Sequence, residues 1–178
     1  MAGKIVLETK RLMLREAELT DDAFFLRLLN TPKWKRYIGD RGIKTDADSK
    51  NYIQDRLIET YRVNGFGFYV MVLKESGSPM GICGFVKRDF LDDQDFGFAV
   101  LPEYERQGYT VEAGLSMLAY GENHLGFSTI LAITAKENSA SQNLLKKLGF
   151  ESKSTIIEPS TSEELFLFSK VKQDNNLE

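Results

Sequence analysis

One cysteine, Cys83, occurs in the 178 residues. No disulfide can form within the chain, which fits a reducing compartment and leads us to expect a cytoplasmic protein. There is also a single histidine, His124, at the end of a helical stretch. Without a His-Asn or His-Asp constellation, Cys83 reads as a small buried apolar residue rather than a nucleophile. No apolar run is long enough to span a bilayer. The opening MAGKIVLETK lacks the apolar core of a secretory signal. Positive charge is not in excess: the net charge of −3 argues against a protein that lives on a nucleic-acid backbone. It leaves room for an anionic ligand held by main-chain N–H groups. Neither a Gly-Lys-Ser/Thr phosphate loop nor a G-x-G-x-x-G turn is present. The acidic stretch Asp89–Asp95 lacks the spacing and terminal Glu of a calcium loop, so it reads as a solvated hairpin and no metal is expected.

What is present is ordinary for a soluble globular domain: 42% hydrophobic and 28% charged residues. With no internal repeat and no linker, we expect one domain over residues 1–171 and a polar tail over 172–178. Ile5–Glu16 alternates as a strand, with Leu12 and Leu14 on one face and Met13 and Arg15 on the other. Thr20-Asp21-Asp22 starts a helix with the apolar stripe Phe24, Phe25, Leu28 and Leu29, and Pro32 ends it. Thr45-Asp46 caps a second helix, whose Tyr52, Ile53, Leu57 and Tyr61 recur at helical spacing. Gly65–Leu73 is nearly all apolar, as in a strand covered on both faces. Glu75–Pro79 turns it into a returning strand, Gly81–Val86. Strands follow at Asp95–Val100, Thr129–Ala135, Glu151–Ile157 and Leu165–Ser169. Helices are expected over Val111–Asn123, with Val111, Leu115 and Leu118 toward a sheet, and after Asn138. Gly149 suits a left-handed position beyond that last helix, with Phe150 packing back on Leu145. The mixture is an α/β domain.

The stretch Phe96–Ala113, FGFAVLPEYERQGYTVEA, organises the rest. A strand feeds a loop and then a helix N-terminus. Such an end collects main-chain N–H groups without helical partners and the positive end of the helix dipole. That is a site for a phosphate-bearing ligand, and Gly108 lets the backbone approach it closely. An ordinary strand–loop–helix connection is the competing reading.

LPEYERQGYTVEA resembles the coenzyme A loop of the GNAT acetyltransferases. Asn138-Ser-Ala-Ser141-Gln-Asn143-Leu-Leu-Lys-Lys147-Leu-Gly149-Phe150 resembles the family's second signature. Leu7-Glu8-Thr9-Lys10-Arg11-Leu12-Met13-Leu14-Arg15 resembles the opening of the branch that includes the ribosomal-protein N-terminal acetyltransferases. The three stand in the family's order across roughly residues 5–169. The resemblance implies a strongly twisted mixed sheet of six to seven strands with about four helices, splayed between the fourth and fifth strands. Acetyl-CoA, the cosubstrate, would lie in that split.

The resemblance also implies roles. Phe98, Ala99 and Val100 would face the pantetheine arm, a main-chain N–H there polarising the acetyl carbonyl. Arg106, Gln107, Gly108, Tyr109 and Thr110 would surround the diphosphate. Asn138 and Asn143 would contact the cosubstrate, and Ser141 would hydrogen-bond the departing sulfur. Capping of the last helix is the alternative for Asn138 and Ser141. Asp95 stands where relatives carry the carboxylate that deprotonates the amine; a strand-edge acid is its alternative, and Glu112 is a competitor better suited to the helix dipole. Tyr104 and Tyr109 are spare candidates for the general acid. Glu105 and Thr110 depart from the family's loop pattern. Read from the residues rather than from the resemblance, the aromatic and basic Trp34–Gly39 segment would be an acceptor-binding lip, with Trp34, Tyr37, Phe66 and Phe68 lining an apolar pocket; a buried loop anchor is the alternative for that segment.

The expected activity is transfer of an acetyl group from acetyl-CoA to a primary amine, a protein N-terminus or a small molecule, directly in a ternary complex. A non-catalytic acyl-CoA-binding module and an interaction domain without a ligand are the rivals. No nucleic-acid or membrane partner is expected, and the chain would be a monomer or homodimer.

Overall fold

The computed structural model describes residues 3–173; the expected tail falls largely on 174–178, outside the described residues. The chain builds β1 (Ile5–Glu8), β2 (Leu12–Arg15), α1 (Asp22–Leu29), α2 (Pro32–Tyr37), α3 (Asp46–Ile53), α4 (Glu59–Asn64), β3 (Phe68–Leu73), β4 (Pro79–Val86), β5 (Gln94–Val100), α5 (Tyr109–Asn123), β6 (Thr129–Ala135), α6 (Ser139–Lys147), β7 (Glu151–Ile157) and β8 (Glu164–Val171). Among the described residues the strands form one eight-stranded sheet in the order β1-β2-β3-β4-β5-β6-β8-β7. It is antiparallel throughout except for β5 beside β6.

Two core clusters cover its faces. Tyr69 and Met71 point to one side, with Phe85, Phe96, Ala113, Met117, Leu145 and Leu148. Val70 and Val72 point to the other, with Phe25, Leu28, Trp34, Ile53 and Leu57. The apolar run of β3 is therefore buried on both faces, as its composition implies. Helices α5 and α6 cover the first face and α1–α4 the second.

The strand count exceeds the expected six to seven because Ile5–Glu16 is a hairpin, not one strand, and the helices exceed the expected four or so because Pro32 opens a further helix and the second helical stretch is divided into α3 and α4. Ile5 pairs with Arg15 and Glu8 with Met13 across the turn at Thr9–Arg11. Pro32 does not simply end α1; it is an early residue of α2, where a missing N–H is harmless, and the Thr31 side chain caps that helix. The Thr45 cap is present as a reciprocal box with Asp48. A π-helical turn, Gln54–Ile58, joins α3 to α4.

In α5 the buried face runs through Ala113, Gly114, Met117, Leu118 and Gly121, while Leu115 is 53% exposed. The expected face was turned, because its two glycines are the contact points. A Cβ on Gly114 would stand 2.9 Å from a Leu148 methyl, and one on Gly121 2.6 Å from the Phe85 ring. Close packing on α6 at Gly114 and on the sheet at Gly121 offsets the roughly 1 kcal/mol that each glycine costs the helix. At the end of α6, Phe150 N–H donates to Leu145 O at 3.0 Å and Gly149 N–H to Lys146 O at 3.1 Å. With Gly149 at φ +89°, this is the expected Schellman closure. The last strand, β8, lies between β6 and β7, so the sheet edge on that side is β7, whose residues are mostly exposed.

Candidate active site

The two parallel strands at the middle of the sheet part almost at once. Gln94 pairs with Ile130 and Asp95 with Leu131, and no further β5–β6 pair occurs among the described residues. From Phe96 to Val100, β5 is paired only with β4; from Ala132 to Ala135, β6 is paired only with β8. The opening lies between the strands that the sequence places fourth and fifth. Phe98, Ala99 and Val100 border it and are each half-buried.

Beyond β5 the chain makes a 3-10 turn at Pro102–Tyr104 and reaches the N-terminus of α5. Gly108 is the N-cap at φ +78°, and Arg106 has φ +59°. Among the described residues no acceptor takes a hydrogen bond from the main-chain N–H of Arg106, Gln107, Gly108, Tyr109, Thr110 or Val111. The first helical bond in this region runs from Glu112 N–H to Gly108 O at 3.1 Å. A run of free donors at a helix N-terminus fits an anionic group. The loop is held from outside. The Gln107 side chain donates to Glu103 O at 2.8 Å. Arg11 donates to Gln107 O at 3.0 Å and lies over the Tyr109 ring, 4.2 Å from its centroid. The Glu105 carboxylate turns away to pair with Lys33 on α2, which removes its charge from the amide run.

Glu112 is a fastening, not a free base. Its carboxylate accepts from Thr9 Oγ1 at 2.6 Å, Arg11 N–H at 2.8 Å and Arg11 Nε at 2.6 Å. Burial pushes its carboxyl up, but these bonds together hold it below the ordinary value.

Asp95 closes the inner end of the opening at the last β5–β6 pair, and it is 3% exposed. Burial raises its carboxyl from 3.8 to about 6, against the opposing pull of Arg88. Arg88 Nε donates to Oδ2 at 2.6 Å, while Oδ1 is buried without a partner. The ring of Phe68 lies over Gly97, two residues along the strand from Asp95; a Cβ on Gly97 would meet it at 2.9 Å. Phe68 and Asp95 therefore share one face of the sheet, the α1–α4 face.

The four residues expected to line one acceptor pocket are not brought together. Phe66 packs on the opposite face, edge-on to Phe85 at 6.5 Å and Phe127 at 5.3 Å. Trp34 is 5% exposed within the helical core, which matches its packing alternative. Tyr37 lies at the end of α2 beside Arg36. Phe68 alone of the four adjoins Asp95's strand.

At the start of α6 the Asn138 side-chain oxygen accepts from Ser141 N–H at 3.1 Å, so the capping role is filled. Among the described residues the Asn138 amide N–H₂ makes no hydrogen bond. Ser141 is half-buried and Asn143 is exposed. Cys83 is fully buried, and its surroundings push the thiol up, away from a reactive thiolate. Sequence alone does not single out Arg11 or Arg88: nothing local ties Arg11 to a loop some hundred residues away, and no spacing marks Arg88 at all.

The chain is similar in sequence and in fold to known proteins. The chain is 25% identical over 143 residues to YnaD, an uncharacterised N-acetyltransferase of Bacillus subtilis, covering 80% of this chain and 81% of that one. It is 26% identical over 153 residues to a second such B. subtilis protein, YoaA, covering 85% of each. In fold it is similar to an acetyltransferase of Agrobacterium tumefaciens, with TM-score 0.78, 19% identity and coverage of 93% and 94%. It is likewise similar to RimL, a ribosomal alpha-N-protein acetyltransferase solved with coenzyme A, with TM-score 0.80, 11% identity and coverage of 94% and 98%. The profile of the acetyltransferase (GNAT) domain matches residues 11–151, and the chain belongs to that family.

Proposed function

We propose that this protein is an acetyl-CoA-dependent N-acetyltransferase that moves the acetyl group directly to a primary amine in a ternary complex. One observation carries the reading: free main-chain donors at Arg106–Val111 stand at a helix N-terminus just beyond a strand that has parted from its neighbour. The donors suit a diphosphate and the opening suits an extended arm. Gln107–Thr110 hold the diphosphate, Phe98–Val100 align the arm, and Asn138 offers its amide to it.

In the reaction a nitrogen–carbon bond forms as the carbon–sulfur bond breaks. The amine must shed a proton and the leaving thiolate must gain one. Asp95 takes the first, directly or through a water, since its carboxyl stands near 6 and is ionised at neutral pH. A main-chain N–H of β5 polarises the carbonyl. Ser141 hydrogen-bonds the sulfur, with Tyr104 and Tyr109 as the other proton sources near the loop. The acceptor approaches from the Phe68 side, where Asp95 lies. It is a protein N-terminus or a small amine, and the alpha-N-protein acetyltransferase activity of RimL favours testing N-terminal peptides first. Among the described residues no helix is long and apolar enough to cross a membrane. The single buried thiol agrees with a cytoplasmic site of action.

Incubation with acetyl-CoA and a panel of amines and N-terminal peptides, read as released thiol, tests this. Turnover with one acceptor class is expected; silence across all classes would count against it. The Arg88 contact on Asp95 favours one second reading, an acyl-CoA-binding module without catalysis. Tight acetyl-CoA binding with no transfer would support that instead.

A further inference from the structure

Among the described residues, the buried polar side-chain atoms without a hydrogen-bond partner are Trp34 Nε1, Asp95 Oδ1 and Thr134 Oγ1. Trp34 lies in the α1–α4 core, and Asp95 has a chemical role above; Thr134 stands on the stretch of β6 that has parted from β5. It is 6% exposed on β6. A buried hydroxyl left unmatched costs about 1–3 kcal/mol. Valine has the same shape, suits a strand as well and carries no such penalty. Such a group in a native chain calls for an explanation.

Its position supplies one. β6 leaves β5 after Leu131, and Thr134 lies on the parted stretch, paired only with Phe166 of β8. Strand alternation puts Thr134 on the face of Ile130 and Ala132, which join the core cluster that Phe96 and Phe98 also join. The hydroxyl thus belongs to the same side of the opening as Phe98, on the opposite strand. Four residues later the chain reaches Asn138, at the start of α6. Thr134 therefore stands where an arm running between the strands would pass, before the α6 cap.

We propose that Thr134 is a binding residue for the amide-bearing arm of the acyl-CoA cosubstrate, its hydroxyl exchanging one hydrogen bond with an arm amide. This rests on the acetyl-CoA reading above and adds a contact that none of the three recognised stretches contains.

The test compares Thr134→Val and Thr134→Ser with the unaltered protein by calorimetry and thermal melting. Two probes are used: coenzyme A, and its nucleotide half alone, adenosine 3′-phosphate 5′-diphosphate. Thr134→Val is expected to bind coenzyme A about fivefold more weakly and the nucleotide half unchanged. Thr134→Ser, which keeps the hydroxyl, is expected to bind both within about twofold of the unaltered protein. The ligand-free melting temperature of Thr134→Val is expected to hold or rise, since an unmatched hydroxyl has gone. Equal coenzyme A affinity in Thr134→Val and the unaltered protein overturns the proposal. So does an equal loss for both probes, which marks a purely structural role. If Thr134→Val does not fold, Thr134→Ala read against Thr134→Ser carries the same comparison. If the unaltered protein binds neither probe, the acetyl-CoA reading itself fails, an outcome distinct from all of these.

Discussion

Arg11 and Glu112 join the first hairpin to the loop that opens α5: the guanidinium Nε and main-chain N–H of Arg11 both bond the Glu112 carboxylate, at 2.6 and 2.8 Å. The same guanidinium reaches on to Gln107 O. A carboxylate in the first turn of a helix is favoured by the dipole in any case. Here it also anchors a cation that orients the carbonyl side of the loop, leaving the N–H side outward. Glu112→Gln should lower stability by roughly 1 kcal/mol, an allowance already reduced for the solvent exposure of the pair. A double-mutant cycle with Arg11→Ala should give a coupling of about 1 kcal/mol. Both single variants should also weaken coenzyme A binding; calorimetric titration showing unaltered affinity would mean the loop holds its shape without them.

Asp95→Asn should reduce kcat by at least about a hundredfold with little change in acetyl-CoA affinity. With the aspartate present, the pH profile of kcat/KM should rise through an apparent pKa near 6, because only the ionised carboxyl accepts a proton. The charged neighbour that bears on it is Arg88, and the Ile133 main-chain N–H adds a smaller pull in the same direction. A profile flat from pH 5 to 8 would remove Asp95 from the proton transfer.

Stability carries the same signature with the opposite advantage. The Asp95 carboxyl is raised in the native state from 3.8 to about 6, so between those values the native chain binds more protons than the unfolded one. Stability should therefore fall as pH rises from about 4 to beyond 6, by on the order of 2 kcal/mol from this group. The difference between the unaltered protein and Asp95→Asn, measured by urea unfolding at pH 4.5 and 7, isolates it. An identical pH slope in the two would show that the group titrates normally.

Gly121→Ala should destabilise the protein although alanine is the better helix former. The added Cβ falls 2.6 Å from the Phe85 ring and 3.2 Å from that of Phe127. Overpacking of this kind costs about 1–3 kcal/mol, more than the helix gains. Thermal melting decides it; a raised melting temperature would show that α5 can lift off the sheet at no cost.

Gly108→Ala addresses the loop without touching the core. Its φ of +78° is one a side chain adopts at a cost of about 1 kcal/mol, and the space beside it ends at Arg11, 3.4 Å away. Coenzyme A affinity should fall severalfold while the melting temperature of the ligand-free protein moves by only a few degrees. Full retention of affinity would place the phosphates elsewhere.

Much was legible before folding because it depends on near neighbours. The Thr45 box, the Gly149 closure, the double-sided burial of β3 and the strand–loop–helix of Phe96–Ala113 are all set by residues a few positions apart. Their hydrogen-bond geometry and apolar period are local properties. The turn at Thr9–Arg11 divides an alternating run that by its period alone is one strand. Pro32, which suits a stop, is equally suited to the start it makes.

What the amino-acid order alone determined is the set of elements, the caps that bound most of them, and the free donors implied by a glycine-led helix start. Only the packed chain decided which distant groups meet. It moved Phe66 away from Phe68, turned Glu105 toward Lys33 and gave Asp95 its guanidinium neighbour. It tied Arg11 to Glu112 and left the Thr134 hydroxyl unmatched beside a parted strand. The reason is physical: period and propensity act within a turn or a strand, whereas burial and charge pairing depend on which surfaces come together, and that is a property of the whole sheet.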